Sequence, residues 1–182
     1  MGLSQGDADS TTAAARMRLL QQEFTTPRRT GDTGRRATTT EPAAPADLSV
    51  IDYMARQVRE VIDHTLAAAP TASRPPAEFA AVYGWMTTHT DEFEDEKRQT
   101  ARAIVYRQSL EHALKMGDES VVRRHPCPDC GCWGLFWRAA AREAACLNRH
   151  CAGEGPSRTF TLAQLAHQHI AAQETRRATR AT

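Results

Sequence analysis

Residues 127–137 read CPDCGCWGLFW, and the reading of that stretch decides what the last third of the chain can be. Three of the chain's five cysteines fall in its first six positions; the other two are Cys146 and Cys151. Taking Cys127, Cys130, Cys146 and Cys151 gives C-x2-C-x15-C-x4-C. The first pair and the 15-residue gap match a zinc ribbon, while the closing gap is longer than the usual two. Two thiolates two residues apart converge on one ion when the backbone between them turns tightly. Pro128 favours that turn, and Gly131 tolerates the positive φ that follows it. Four sulfurs at about 2.3 Å satisfy one structural Zn²⁺ and leave no position open for a substrate.

Cys132 falls outside this set. Using it in place of Cys130 leaves C-x4-C at both ends, a weaker match. Trp133, Leu135 and Trp137 alternate with Gly134 and Phe136, as in a strand. Cys132 is therefore expected to open that strand as a small buried hydrophobe. His125 and His150 are rival ligands because both flank cysteines, although His150 adjoins Cys151 and cannot readily share an ion with it. Residues 138–145, RAAAREAA, have helical propensity, but a ribbon needs a hairpin that returns Cys146 to the first knuckle. The hairpin is the expectation here, with a treble-clef-like helix as the alternative. Thr159 and Phe160 then offer a third short strand, and Thr161 with Gln164 forms a capping box for a last helix. Leu162, Leu165, Ala166 and His169 line the inner stripe of that helix, and the basic tail ETRRATRAT should fray.

Upstream, the pattern is helical. Ser49 and Asp52 resemble a capping box, followed by a stripe of Ile51, Met54, Ala55, Val58, Ile62 and Leu66 that stops before Pro70. A second helix should start near Pro75-Pro76 and bury Phe79, Val82, Tyr83 and Met86. A third, from about Asp95 to Met116, puts Ala103, Tyr106, Leu110, Ala113 and Leu114 on one face, with Gly117 as its stop. Three such helices pack as a small antiparallel bundle. Ahead of them, residues 10–24 suit a short isolated helix carrying Met17, Leu20 and Phe24, and the Thr-, Arg- and Pro-rich run after it reads as a disordered linker.

The expected fold is thus mainly α: a disordered N-terminal arm with one short helix (1–46), a three-helix bundle (47–118), a four-cysteine zinc ribbon built on a short β-hairpin (119–160), and a C-terminal helix with a basic tail (161–182). Composition agrees with small cores. Of the 41% hydrophobic residues, 31 are alanine, and Leu, Ile, Val and Phe number 27. So little bulky apolar material makes a metal staple physically useful.

Charge is uneven: +1 over residues 1–45, −4 over 46–118 and +4 over 119–182. The cysteine-bearing part is basic, which points to an anionic partner. Arg123, Arg124, Arg138, Arg142, Arg149 and Arg158 surround the cysteines, and Trp133 or Trp137 can stack on bases if exposed. The acidic bundle offers the other reading, a protein-binding adaptor in which zinc only stabilises the fold. The five carboxylates of DEFEDEK, 91–97, sit where the third helix begins and complement its dipole. His64, His89 and His112 have no partners at ligand spacing and read as surface or interface residues.

Enzyme readings fail on their parts. A thioredoxin-like dithiol needs a thiolate at a helix start, whereas this motif leads into a strand. A deaminase pairs P-C-x-x-C with His-x-Glu, and the chain contains no His-x-Glu. Nor is there a secretory signal or a long apolar run, so a cytoplasmic protein with no membrane partner is expected, its clustered thiols reduced.

VYGW at 82–85, AIVYRQSLEHALKMGDESVVRRHPCPDCGCWGLFW at 103–137, the C-x4-C pair and SRTFTLAQLA at 157–166 resemble a group of uncharacterised zinc-ribbon-like proteins of actinomycetes and their bacteriophages. The resemblance covers about residues 47–170. It implies a phage or mobile-element setting and a zinc-bound C-terminal part, and no catalytic residues. The function expected is that of a non-enzymatic structural-zinc protein, a DNA- or RNA-binding or regulatory accessory protein.

Overall fold

The computed structural model describes residues 5–25, 47–153 and 155–181. The expected linker, with its arginine pairs, lies outside the described residues. The architecture is mainly helical, with one small antiparallel sheet, as the cysteine spacing and helical periodicities imply. In chain order the elements are α1 (Gln5–Thr25), α2 (Leu48–Ala68), α3 (Ala81–Thr90), α4 (Asp95–Lys115), α5 (Ser120–Arg123), β1 (Leu135–Arg138), β2 (Glu143–Cys146), α6 (Arg149–Ala152), β3 (Thr159–Phe160) and α7 (Leu162–Ala181). None of these helices is long and apolar enough to cross a membrane.

Helix α4 is the spine, with α1, α2, α3, α5 and α7 packed around it. It spans two apolar cores. Its Ala101 and Val105 join Met17, Leu20, Met54, Val61, Tyr83 and Met86 in the first. Its Leu110 and Ala113 join Val122, Leu135, Ala144, Phe160 and Leu165 in the second, beneath the sheet. Helix α1 is therefore not an isolated arm helix. Ala13, Met17 and Leu20 are fully buried, since a bundle with so few large aliphatics needs that extra wall.

Local chemistry explains most boundaries. Asp47, not Ser49, caps α2, its carboxylate accepting from the Ser49 N–H at 2.9 Å and from the Ser49 hydroxyl at 2.7 Å. The buried stripe of α2 is Val50, Met54, Val58, Val61 and Thr65; Ile51 and Ile62 flank it half-buried, while Ala55 and Leu66 are exposed. Helix α3 starts at Ala81 rather than at the prolines, because Pro76 holds Pro75 extended and a turn through Glu78–Ala81 intervenes. Gly117, at φ 84°, ends α4 as expected.

The second core is closed by the hairpin and α7. Strand β1 pairs with β2 in the register Leu135↔Cys146 to Arg138↔Glu143, and β2 pairs with β3, so the order is β1-β2-β3. The Thr161 N–H donates to Gln164 Oε1 at 2.8 Å, and the Gln164 N–H to Thr161 Oγ1 at 3.2 Å, the reciprocal box that starts α7. That helix continues to Ala181, so the basic segment expected to fray is helical.

A buried polar chain crosses the first core. His112 has no exposed surface, a correction to its reading as a surface residue. Its Nε2 lies 2.8 Å from the Tyr83 hydroxyl, and its Nδ1 lies 2.8 Å from that of Tyr53. Tyr83 donates to Gln108 Oε1 at 2.8 Å, and the Gln108 amide donates to Gln57 O at 3.0 Å and Glu60 Oε2 at 2.9 Å.

A second chain fastens α7. Arg102, only 8% exposed, donates to Glu174 and Gln173, with Asp9 Oδ2 3.6 Å away. Gln173 passes the contact to His169 at 2.6 Å, and the His169 ring stacks flat on Tyr106 at 4.1 Å. Tyr106 reaches His125 Nε2 at 2.8 Å, and His125 Nδ1 donates to Val121 O at 2.9 Å.

Candidate metal centre

The two cysteine knuckles are built from backbone outward. In the first, the Cys127 N–H donates to Cys132 O and the Gly131 N–H to Cys127 O, both at 2.9 Å. Gly131 adopts φ 70°, a conformation that costs a residue with a Cβ about 1–2 kcal/mol. In the second, Asn148 caps the single turn of α6, accepting from the His150 N–H at 3.0 Å, and this turn lifts Cys151 back toward Cys146. The longer closing gap is thus occupied by a helical turn rather than a second tight knuckle. Cys146 is fixed by the sheet: it pairs with Leu135 and donates its N–H to Arg158 O at 2.9 Å.

These supports bring the sulfurs of Cys127, Cys130, Cys146 and Cys151 to within 4.8 Å of one another. Cys127 Sγ lies 3.7 Å from Cys151 Sγ, and Cys130 Sγ lies 3.8 Å from Cys146 Sγ. An ion bound tetrahedrally by thiolates at about 2.3 Å needs sulfurs about 3.8 Å apart. The donor set, its count and its spacing all fit one four-coordinate metal ion.

The electrostatics fit as well. The Cys130 thiol is pulled down to about 6, chiefly by the backbone N–H of Cys132 and then by Asn148. Burial pushes the Cys146 and Cys151 thiols up. Four thiolates crowded together need a cation to hold them charged, and a divalent ion supplies that charge.

Neither rival histidine takes part. His125 is committed to Tyr106 and Val121, and His150 is exposed. Cys132 is not a buried strand residue: it is exposed, its sulfur 3.5 Å from the Asn148 amide nitrogen that also lies 3.6 Å from Cys130 Sγ. Gly134, at φ 137°, breaks the alternation, so β1 begins only at Leu135. For the same reason Trp133 is 71% exposed, while Leu135 and Trp137 keep the inward face.

The six arginines are all exposed but spread over several elements. Arg123 and Arg124 stand on and just after α5, where Arg124 donates to Ser120 at 3.1 Å. Arg138 and Arg142 stand at the hairpin tip, away from the knuckles, and Arg149 opens α6. Arg158 faces Asp129 at 3.6 Å. Arg124 and Arg142 line different clefts, so the six do not form one face. Sequence reasoning missed Phe136 and Leu147, which are 41% and 66% exposed. The Leu147 N–H donates to Gly134 O, which sets Leu147 diagonal to Phe136 with no bulky side chain between them.

Comparison with protein-family models, with curated proteins and with solved structures returned no match to this chain.

Proposed function

We propose that the protein is a non-enzymatic, zinc-stabilised nucleic-acid-binding protein whose contact surface is the outward side of the cysteine module. Four soft thiolates at tetrahedral spacing suit Zn²⁺, and a closed sulfur shell gives it a structural rather than a catalytic task. The observation that carries the binding role is Trp133, which stands 71% exposed between the first knuckle and β1, where it bridges to Pro126. A large indole held outward on a rigid element is costly unless it meets a partner, and base stacking is worth about 1–3 kcal/mol per aromatic platform. Phe136 adds a second exposed ring, and Arg138 and Arg149 have no ion-pair partner among the described residues. The basic balance of residues 119–182 supports an anionic ligand. The resemblance to actinomycete and phage proteins makes a phage or mobile-element accessory role, in the cytoplasm, part of the same proposal.

Titration of zinc-loaded protein with labelled single-stranded DNA, single-stranded RNA and duplex DNA tests this. Binding that weakens steeply with salt, and falls about tenfold or more in Trp133→Ala, supports it. Absence of binding to all three at low ionic strength overturns it.

One observation favours a second reading. Leu147, exposed and aliphatic beside Phe136, suits a protein surface better than a nucleic acid. In that reading the module, or the acidic helical bundle, docks a protein and zinc only maintains the fold.

A further inference from the structure

Between the hairpin and the helices lies a cleft of about 730 Å³, within the range of small-molecule sites. It belongs to neither knuckle and touches neither Trp133, Phe136 nor Arg149. Tyr53 of α2 and Trp137 of β1 are among its walls. Ser49, Ala139, Thr161 and Ala163, all small, also line it.

The lining carries four cations, Arg56, Arg107, Lys115 and Arg142, against one carboxylate, Glu111. Arg107 is neutralised within the fold by Glu60 and Glu111. Among the described residues, none of Arg56, Lys115 and Arg142 has an ion-pair partner. They come from three elements: α2, the end of α4, and the hairpin turn. Lys115 Nζ stands 5.8 Å over the Tyr53 ring, and Arg56 and Arg142 both act electrostatically on the Tyr53 hydroxyl. Arg142 is the one described non-glycine residue with positive φ, 55°, held at the tip of a four-residue turn. A backbone conformation of that kind costs of order 1 kcal/mol, and persists where its surroundings impose it.

Three cations without an ion-pair partner, lining one cleft with a tyrosine and a tryptophan, suit a planar ring bearing a doubly charged phosphate. We infer that this cleft binds a nucleoside monophosphate, the ring lying against Trp137 or Tyr53 and the phosphate held by Arg142, Arg56 and Lys115. Arginine suits such an anion through its forked donors. The hairpin is one wall of the cleft, so the site exists only while the metal centre keeps the hairpin folded.

Adenosine 5′-monophosphate, adenosine, inorganic phosphate and a 5′-hydroxyl oligothymidylate, each titrated calorimetrically into the metal-loaded full chain with tryptophan fluorescence in parallel, test the inference. The monophosphate should bind saturably and perturb Trp137, phosphate should compete more weakly, and adenosine should bind at least about tenfold less tightly. Arg142→Gly, which suits the backbone at that position, and Arg56→Ala should each weaken the monophosphate about tenfold with an unchanged circular dichroism spectrum. No saturable monophosphate binding, or equal binding in both variants, overturns the inference. Oligothymidylate bound through Trp133 with no monophosphate binding overturns it too, while leaving the proposed function standing. Monophosphate bound without oligothymidylate does the reverse.

Discussion

Tyr53 donates its hydroxyl proton to Nδ1 of His112 across 2.8 Å, and the rest of the chain of hydrogen bonds dictates that direction. Tyr83 spends its only proton on Gln108, so its oxygen accepts from Nε2–H of His112, and Nδ1 is left as the acceptor. The imidazole is therefore neutral with its proton on Nε2, and every polar atom of the ring is satisfied. Burial pulls its pKa down to about 3.

Acid should destabilise the protein in a window set by that histidine. Above about pH 6.5 His112 is neutral in both folded and unfolded chains, so its contribution is flat. Between there and about 3 the unfolded chain takes up a proton that the folded one refuses, and stability falls by roughly 1.4 kcal/mol per pH unit. At pH 5 the loss from His112 alone is about 2 kcal/mol. His125 and His169 are shifted in the same direction by burial and add to it. Urea midpoints at pH 7.5 and 5.0 measure the effect; equal midpoints would refute it.

Metal content gives the second prediction. Purified protein should carry about one zinc per chain, released together with loss of tertiary structure when a strong chelator is added. Cys127→Ser, Cys130→Ser, Cys146→Ser and Cys151→Ser should each lose it, and Cys132→Ser, outside the sulfur cluster, should keep it. Elemental analysis with near-ultraviolet circular dichroism reads both effects. Iron in place of zinc would show as colour.

Arg102 should be among the most sensitive positions in the bundle. Removing it strands Asp9 in a partly buried site and leaves Glu174 with Arg177 alone, and breaking such a group costs about 3 kcal/mol or more. For a chain of this size that is a fall in Tm of about 9 °C by calorimetry. Arg102→Met combined with Asp9→Asn and Glu174→Gln should recover much of the loss, because the one charge then left without its partner is the exposed Arg177.

Neighbouring residues of the hairpin should respond oppositely to truncation. Leu135 is 1% exposed, and Leu135→Ala should cost about 3 kcal/mol. Phe136→Ser and Leu147→Ser, on the exposed face, should change the unfolding free energy by about 0.5 kcal/mol or less. Large losses in both serine variants would mean that the face is covered within the protein.

How much of this was legible beforehand follows from what each feature depends on. The cysteine cluster, the Thr161–Gln164 box, the Gly117 stop and the hairpin depend on spacing and local turn chemistry, and all are readable along the chain. Helix α4 was only half legible: its Ala103–Leu110 face was visible, but the face carrying Gln108, Ser109 and His112 is polar. Those residues are buried because side chains from distant segments satisfy them: tyrosines and a glutamate for Gln108 and His112, and Arg16 of α1 for Ser109. Helix α1 looked isolated since nothing local to it says that Met17 and Leu20 meet Val105. Cys132 went the other way. A strand opening at Cys132 was expected to bury it, but with Gly134 at φ 137° the strand begins only at Leu135, and Cys132 and Trp133 are left exposed.

The placement of α7 on α4 has a bearing on biosynthesis. Arg102 leaves the ribosome some seventy residues ahead of Glu174 and Gln173, its partners in the finished fold. Until α7 emerges, that guanidinium and the flank of α4 holding Ala103 remain wet, however complete the cysteine-bearing hairpin already is. Helix α7 is thus the clasp, and a pause in translation before it would hold the nascent chain open on that side.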